Sequence, residues 1–326
     1  MIAIVYEKYG APDVLHLEDV EKPTPKDNEV LIRVHATTVT KYDCWARSST
    51  APPGFWLPSR IASGLRKPKQ PILGTALSGE IEAVGRGVTL FKEGDQVFGF
   101  TENLGAYAEY LCMSEEGVAI KPANVTYEET AAVVQGGLTA LYFLIKGNIQ
   151  KGQKILIFGA SGGIGTYAVQ LAKYFGAEVT GVCSTPKLEL VSSLGADEVI
   201  DYTKEDFTKN AQTYDLIFDT VGKTSLSRSI KSLNENGHYL FATFGLPMLI
   251  RVFWLLRKSS KKAIFGVIEE NSEDLDFLKE LIEAGEIKPI IDRCYPLEQT
   301  ADAHRYVETG HKKGNVVITV EHNNKP

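Results

Sequence analysis

The run Lys154-Ile155-Leu156-Ile157-Phe158 reads as a buried strand. It breaks into Gly159-Ala160-Ser161-Gly162-Gly163-Ile164-Gly165, and a helical pattern then runs from Ile164 to Phe175. Four glycines in seven residues at a strand–helix junction admit few folds. The turn has to be tight, the helix has to pack close to the strand, and backbone N–H groups have to stand open at the helix start. That start carries partial positive charge and suits a phosphate. The spacing matches a dinucleotide-binding turn, with Ala160 in place of the pattern's first glycine. Ser161, Gly162, Gly163 and Ile164 are its candidate contacts; a plain tight turn is the competing reading.

The surrounding pattern supports the first reading. Downstream, strand-like runs at Glu178–Cys183, Glu198–Ile200, Asp215–Asp219, His238–Ala242 and Ala263–Val267 alternate with helical stretches such as Thr224–Leu233. Such alternation predicts a parallel sheet wrapped by helices. Upstream, residues 1–125 are rich in β-branched runs broken by Gly and Pro. Val30–His35, Leu77–Val84, Asp95–Phe100 and Ala106–Met113 read as strands of a mostly β lobe. A helical stretch over 128–146 joins the two. The tail predicts a helix at Ser272–Ala284, a Pro-containing turn, a helix at Leu297–Glu308 and a strand at Asn315–Val320, returning to the first lobe.

A chain of 326 residues is long enough for two cores. A net charge of −6 argues against nucleic-acid partners, which need a basic surface. No apolar run approaches the roughly 20 residues of a membrane span. The opening residues lack the pattern of a secretory signal, and Cys44, Cys112, Cys183 and Cys294 stand alone, so the expected setting is a reducing cytoplasm.

The second strand of the expected sheet separates the two nicotinamide cofactors. An NAD site usually places Asp or Glu at its end, on the ribose 2′-OH. Here the stretch is Cys183-Ser184-Thr185-Pro186-Lys187, without an acid. A hydroxyl and an ammonium suit a 2′-phosphate, so NADPH is favoured, with Ser184 and Lys187 as binders. Lys187 as a solvated helix-start lysine is the alternative.

Together these motifs make the chain resemble the medium-chain dehydrogenase/reductase superfamily, in its zinc-free quinone oxidoreductase branch. The likeness runs from YGAPDVLHLEDVEKPTPKDNEVLIRVHA through PILGTALSGEIEAVGRGVTLFKEGDQVFGF, AAVVQGGLTALYFL, GASGGIGTYAVQLAKYFGAEVTGVCST, LGADEVIDY and DLIFDTVG to GHKKGNVVITV. It implies an α/β architecture: a GroES-like domain, 1–125 completed by 271–326, and a Rossmann doubly wound parallel sheet over 126–270, with the active site in the cleft between them. It also implies roles. Thr139 looks like the threonine near the nicotinamide, and Tyr202 like the tyrosine against the 2′-phosphate. Val221, in the DTVG run, is grouped with the cofactor residues. Phe244 and Gly245 are expected to border the nicotinamide, and Asn315 falls where relatives have a cofactor-facing lysine or asparagine. A homodimer is implied by family habit.

Zinc members of this superfamily use an early Cys and a Gly-His-Glu motif. The corresponding places here hold Thr40, Thr75 and Ala76, and the four-cysteine structural loop is absent. No metal site is expected, and the six histidines are read as surface or packing residues. Without a Lewis acid, alcohol oxidation loses the device that stabilises the alkoxide. Acceptors that are already electrophilic, a quinone or an enone, remain. Thr40, Tyr42 and Trp45 are the acceptor-side candidates, with no firm general acid. Relatives often carry Asn and Tyr in place of Thr40 and Trp45. Trp45 is equally a core residue, and Asp43 reads as architectural.

Two basic segments stand apart. Ser59–Gln70 is read as a loop at the cleft rim. Arg251–Lys262, after Pro247-Met248-Leu249-Ile250, is read as starting helical, covering the cleft or a dimer interface; a membrane-surface contact that admits apolar quinones is the rival reading. The leading expectation is an NADPH-dependent quinone or enone oxidoreductase. The alternatives are a reductase of another carbonyl or acyl double bond, and an NADPH-binding protein with little turnover that acts through partners.

Overall fold

The computed structural model describes residues 1–322, and every count below refers to these. The chain opens with β1 (Ile2–Val5), paired antiparallel with β2 (His16–Asp19). It continues through β3 (Glu29–Val39), α1 (Lys41–Ser48), α2 (Trp56–Ser63), β4 (Ala76–Val84), β5 (Gln96–Phe100), β6 (Tyr110–Ser114), β7 (Val118–Ile120) and α3 (Tyr127–Lys146). The alternating half follows, as β8 (Lys154–Phe158), α4 (Gly165–Tyr174), β9 (Glu178–Cys183), α5 (Leu188–Ser193), β10 (Glu198–Asp201), β11 (Tyr214–Asp219), α6 (Leu226–Lys231), β12 (Leu233–Phe241), α7 (Leu246–Leu256) and β13 (Lys262–Ile264). The tail adds α8 (Ser272–Glu283), β14 (Ile291–Pro296), α9 (Thr300–Glu308) and β15 (Asn315–Thr319).

The chain divides into two compact units: Met1–Ala51, Trp56–Gln135 and Glu269–Pro326 in one, Pro52–Phe55 and Gly136–Ile268 in the other. The sequence reading set its boundary ahead of the connecting helix, at 125/126. The division falls inside α3 instead. From Gly136 onward this helix packs on the glycine turn, so closely that a Cβ at Gly136 would lie 2.3 Å from the Gly163 carbonyl oxygen.

In the first unit, a sheet in the order β14-β15-β3-β4-β5-β7, with β6 also on β3, is built around one long strand. Strand β3 is almost wholly buried and paired along both edges: β4 runs along one, while β6 (Val30↔Met113) and β15 (Val316↔Val39) share the other. Ile32, Val34, Leu77, Val97, Val316 and Ile318 form its core. Three expectations are corrected here. Trp56–Ser63 is helical, so the first basic segment begins on a helix and only its later part is loop. Strand β6 begins at Tyr110 rather than Ala106, with Ala108 making only an isolated bridge to Ala3. The Pro-containing turn before Leu297 holds a further strand, β14, parallel to β15.

In the second unit, six strands pair all in parallel, in the order β10-β9-β8-β11-β12-β13. Numbered within the unit this is 3-2-1-4-5-6, the Rossmann order, whose direction reverses between its first and fourth strands. That switch point lies between β8 and β11, where Phe158 stands opposite Asp219. Here the edge strand β13 is shorter than read, ending at Ile264, and β12 begins earlier, at Leu233. Among the described residues, no helix is long and apolar enough to cross a membrane.

Candidate active site

The glycine turn sits at the switch point. Gly159 adopts φ +83°, and a Cβ there would lie 2.4 Å from Val221 Cγ2, so the residue after β8 has to be glycine. Its N–H and that of Ala160 both donate to the Val182 carbonyl, at 3.0 and 3.1 Å, which ties the turn to β9. Ala160 is tolerated because Gly181 faces it: a Cβ on Gly181 would already come within 3.2 Å of the Ala160 methyl. At the start of α4, Thr166 N–H donates to the Gly162 carbonyl and Tyr167 N–H to that of Ile164. The N–H groups of Ile164 and Gly165 have no backbone acceptor among the described residues. They are the open donors that a helix start offers to an anion. Ser161 is buried at the base of this turn.

Beyond β9, Ser184 starts a single 3₁₀ turn, Thr185–Lys187, which the Lys187 N–H closes onto the Ser184 carbonyl at 2.9 Å. Parallel pairing sets Asp201 opposite Cys183, and this brings in a group the sequence reading missed. Stretch 183–187 has no acid, yet the neighbouring strand supplies one beside it. Asp201 accepts hydrogen bonds from the Thr185 hydroxyl, from Thr203 N–H at 3.0 Å and from the Thr203 hydroxyl at 2.7 Å. Those hydroxyls, with Lys204 nearby, hold its carboxyl down to about 2. Tyr202 follows it, exposed, its ring 6.1 Å from that of Phe158.

The loop after β11 is organised by Asp219, fully buried, which accepts from the N–H groups of Val221 (3.0 Å) and Gly222 (2.8 Å) and from the hydroxyls of Thr224 (2.7 Å) and Tyr239 (3.1 Å). This loop holds Val221 against Gly159. The DTVG run was the available sequence signal, but the acid was not singled out. After β12, Phe244 contacts the rings of Phe55, Phe241 and Phe265, at 6.0, 6.0 and 5.2 Å. Gly245 caps α7, where a Cβ would press to 2.8 Å from the Pro53 carbonyl oxygen. Thr139 lies on α3, partly buried. Thr139, Ser161–Ile164, Ser184, Lys187, Tyr202, Val221, Phe244 and Gly245 all belong to the second unit.

Thr40, Tyr42, Trp45 and Asn315 belong to the first unit. Thr40 caps α1 through a reciprocal box: its hydroxyl accepts from Asp43 N–H, while the Asp43 carboxylate accepts from Thr40 N–H (2.8 Å) and from the Thr40 hydroxyl (2.5 Å). Asp43 also accepts from Gly74 N–H at 3.2 Å, which makes it the architectural residue the sequence suggested. Tyr42 is half exposed and Trp45 partly buried on the same helix. Asn315 opens β15, just before Val316, which pairs with the neighbour of Thr40; its buried side chain donates to the Ile290 carbonyl at 3.4 Å.

Two family models match this chain: "Alcohol dehydrogenase GroES-like domain" over residues 26–123 and "Zinc-binding dehydrogenase" over residues 194–318. The 2-methylene-furan-3-one reductase of Solanum lycopersicum is 34% identical, over 98% of this chain and 79% of its own. An NADPH-dependent alkenal/one oxidoreductase of Arabidopsis thaliana is 32% identical over the same shares. A solved quinone oxidoreductase from Coxiella burnetii superposes with a TM-score of 0.89 at 30% identity, covering 98% of this chain and 99% of its own. The chain belongs to the medium-chain dehydrogenase/reductase superfamily, in its zinc-free quinone oxidoreductase branch.

The residues present do not fit the zinc of other superfamily members. Thr40 is engaged with Asp43, and the buried Thr75 hydroxyl, without a hydrogen-bond partner among the described residues, is a poor ligand beside the methyl of Ala76. The nearby thiol, Cys44, lies 3.6 Å from His304 Nδ1; burial pushes the thiol up to about 12 and the imidazole down to about 3, so both stay neutral. Among the described residues, no three His, Cys, Asp or Glu side chains gather as a metal would need. The matched model named for zinc covers 194–318 and so does not reach Thr40, Thr75 or Ala76.

Beside Thr40, which stands where zinc members carry a ligand, this chain places a titrating group, Asp43. Burial pushes the Asp43 carboxyl from its ordinary 3.8 up to about 6, against the hydrogen bonds from Thr40 and Gly74 that pull it down. A carboxyl raised on folding binds its proton more tightly in the native chain. Its contribution to stability is therefore complete below the ordinary value and is lost as pH rises through the folded one. Asp43→Asn cannot titrate. Its stability relative to the native chain is expected to improve from about pH 4 to about pH 7, by an amount on the order of 3 kcal/mol. Urea unfolding at both ends measures this; a stability gap that does not move with pH rejects it.

Proposed function

We propose that this chain is an NADPH-dependent oxidoreductase that delivers a hydride to a quinone or an α,β-unsaturated carbonyl compound without zinc. The observation that carries the reading is the glycine turn at the switch point of the parallel sheet, a cradle that a single Cβ would fill. The open N–H groups of Ile164 and Gly165 and the turn Ser161–Ile164 hold the pyrophosphate. Ser184, Lys187 and Tyr202 hold the 2′-phosphate; the neighbouring Asp201 carboxylate stays ionised, its charge partly dispersed by the Thr185 and Thr203 hydroxyls and by Lys204, 3.6 Å away. Thr139, Val221, Phe244, Gly245 and Asn315 border the nicotinamide, which supplies the hydride when bound.

On the acceptor side, Thr40, Tyr42 and Trp45 orient the carbonyl compound, the main contribution being proximity. With Asp43 ionised, the Thr40 hydrogen is committed to the carboxylate. With Asp43 protonated, the carboxyl donates to the Thr40 hydroxyl, and that hydroxyl turns its own hydrogen to an acceptor oxygen. Names of relatives such as the alkenal/one and furanone reductases agree with this substrate class.

Dihydronicotinamide absorbance, followed with phenanthrenequinone, naphthoquinone, methyl vinyl ketone and ethanol as substrates, tests the proposal. Reduction of the quinones or the enone, unaffected by a chelator and without turnover of ethanol, is expected. Tight NADPH binding without turnover of any acceptor rejects the catalytic reading, and ethanol oxidation abolished by a chelator rejects the zinc-free one.

A further inference from the structure

Helix α7 is apolar on nearly every face, a pattern that belongs to a buried helix, yet it is not buried. Met248, Leu249, Val252 and Leu256 pack onto the core of the parallel sheet. The opposite face leaves Ile250 51%, Phe253 67% and Trp254 57% exposed, with Leu246 and Leu255 beside them. Soluble surfaces rarely leave contiguous apolar patches of this kind without a partner.

Charge says which partner. Between Glu235 and Glu269 the chain carries no acid and five cations, Arg251, Arg257, Lys258, Lys261 and Lys262, in a protein of net charge −6. Lys261 is committed to the Ile230 carbonyl at 2.7 Å, and Arg257 lies over the Trp254 ring at 4.4 Å. Arg251, Lys258 and Lys262 are exposed and have no carboxylate within ion-pair distance among the described residues. Between α7 and the edge strand β13 runs a groove with an apolar floor, Val252, Leu256 and Ile264, and a cationic rim, Arg257, Lys261 and Lys262. An aromatic, apolar helix face with basic residues at its margin is the chemistry of a segment lying in the headgroup layer of a bilayer.

We infer that α7 and the basic turn after it form a docking surface for an anionic lipid bilayer, with Ile250, Phe253 and Trp254 entering the acyl boundary and Arg257, Lys258 and Lys262 meeting lipid phosphates. The inference stands whether or not the proposed catalysis does, because its readout is binding.

Flotation of the full chain with vesicles of phosphatidylcholine, and of phosphatidylcholine and phosphatidylglycerol mixed two to one, tests it. The chain is expected to float with the mixed vesicles and hardly with the neutral ones, and to be released as salt rises. Arg257→Gln/Lys258→Gln/Lys262→Gln is expected to weaken binding by roughly a hundredfold, about fivefold per cation. Ile250→Ser/Phe253→Ser/Trp254→Ser is expected to abolish it, with an unchanged far-ultraviolet spectrum showing that the fold persists. No flotation with mixed vesicles, or equal flotation with neutral ones, overturns the inference. So does light scattering in which the serine variant turns a dimer into a monomer, since a second copy of the chain would then cover the face.

Discussion

Gly165→Ala is expected to abolish measurable NADPH binding. A Cβ at this position would lie 2.1 Å from the Gly159 carbonyl oxygen and 2.7 Å from Ala160 Cα, and both are backbone atoms of the turn itself. No side chain can swing aside, so either α4 retreats from the sheet or the turn opens. Overpacking of this kind costs about 1–3 kcal/mol in stability. The larger effect is on binding, because the cradle is the part displaced, and each 1.4 kcal/mol or so lost there is about tenfold in affinity. Calorimetric titration with NADPH, alongside thermal unfolding, measures both. Gly162→Ala is the companion variant: its nearest contact would be an ordinary 3.4 Å, so the fold is expected to accept it. Wild-type NADPH affinity in Gly165→Ala would show that this turn is not where the dinucleotide sits.

Lys187→Glu is the second large effect, and it discriminates between cofactors. The 3₁₀ turn after β9 already has one carboxylate at its edge, Asp201, held down to about 2 and therefore ionised at neutral pH. In the native chain that charge is offset by hydroxyl hydrogen bonds and by Lys204, 3.6 Å away. Reversing Lys187 removes one cation and adds an anion. A charge-assisted hydrogen bond is worth about 1.5–3 kcal/mol, so NADPH affinity is expected to fall by about tenfold to more than a hundredfold. NADH, without the 2′-phosphate, is expected to change by no more than about twofold to threefold. Comparing the two dissociation constants in both proteins measures this. Equal losses would assign Lys187 a structural role and leave the 2′-phosphate contact to other groups.

What could be read from the chain and what could not divides along a physical line. The glycine turn was legible because its demands are local: a buried strand, small residues and a helix start, all within a dozen positions. The loss of metal ligands was legible for the same reason, since Thr40, Thr75 and Ala76 occupy short motifs. Asp201 was not, because its place beside Thr185 comes from the pairing of two strands, and no local pattern marks it. Strand β14 escaped because its residues are half exposed and lack apolar alternation, so period-two reasoning had nothing to find. Helix α2 escaped because Pro58 and a cluster of cations read as loop, although proline is tolerated in a first helical turn. Strand β6 was read too early because Ala106, Tyr107 and Ala108 are buried without belonging to a regular ladder.

The pairing of Val316 with Val39 joins residues far apart in the order of synthesis. A ribosome releases Glu29–Val39 long before Asn315–Thr319, so in the interval the Ala36–Val39 part of one edge of the longest strand waits without its neighbour. Most of the nucleotide-fold half, Gly136–Ile268, leaves the tunnel as an uninterrupted stretch and can complete its sheet while the tail is still being translated. Newly made protein therefore passes through a stage in which the later-emerging lobe is finished and the earlier-emerging one is not. In that stage a nascent β3 with open hydrogen-bonding groups is what a chaperone or a neighbouring chain would meet.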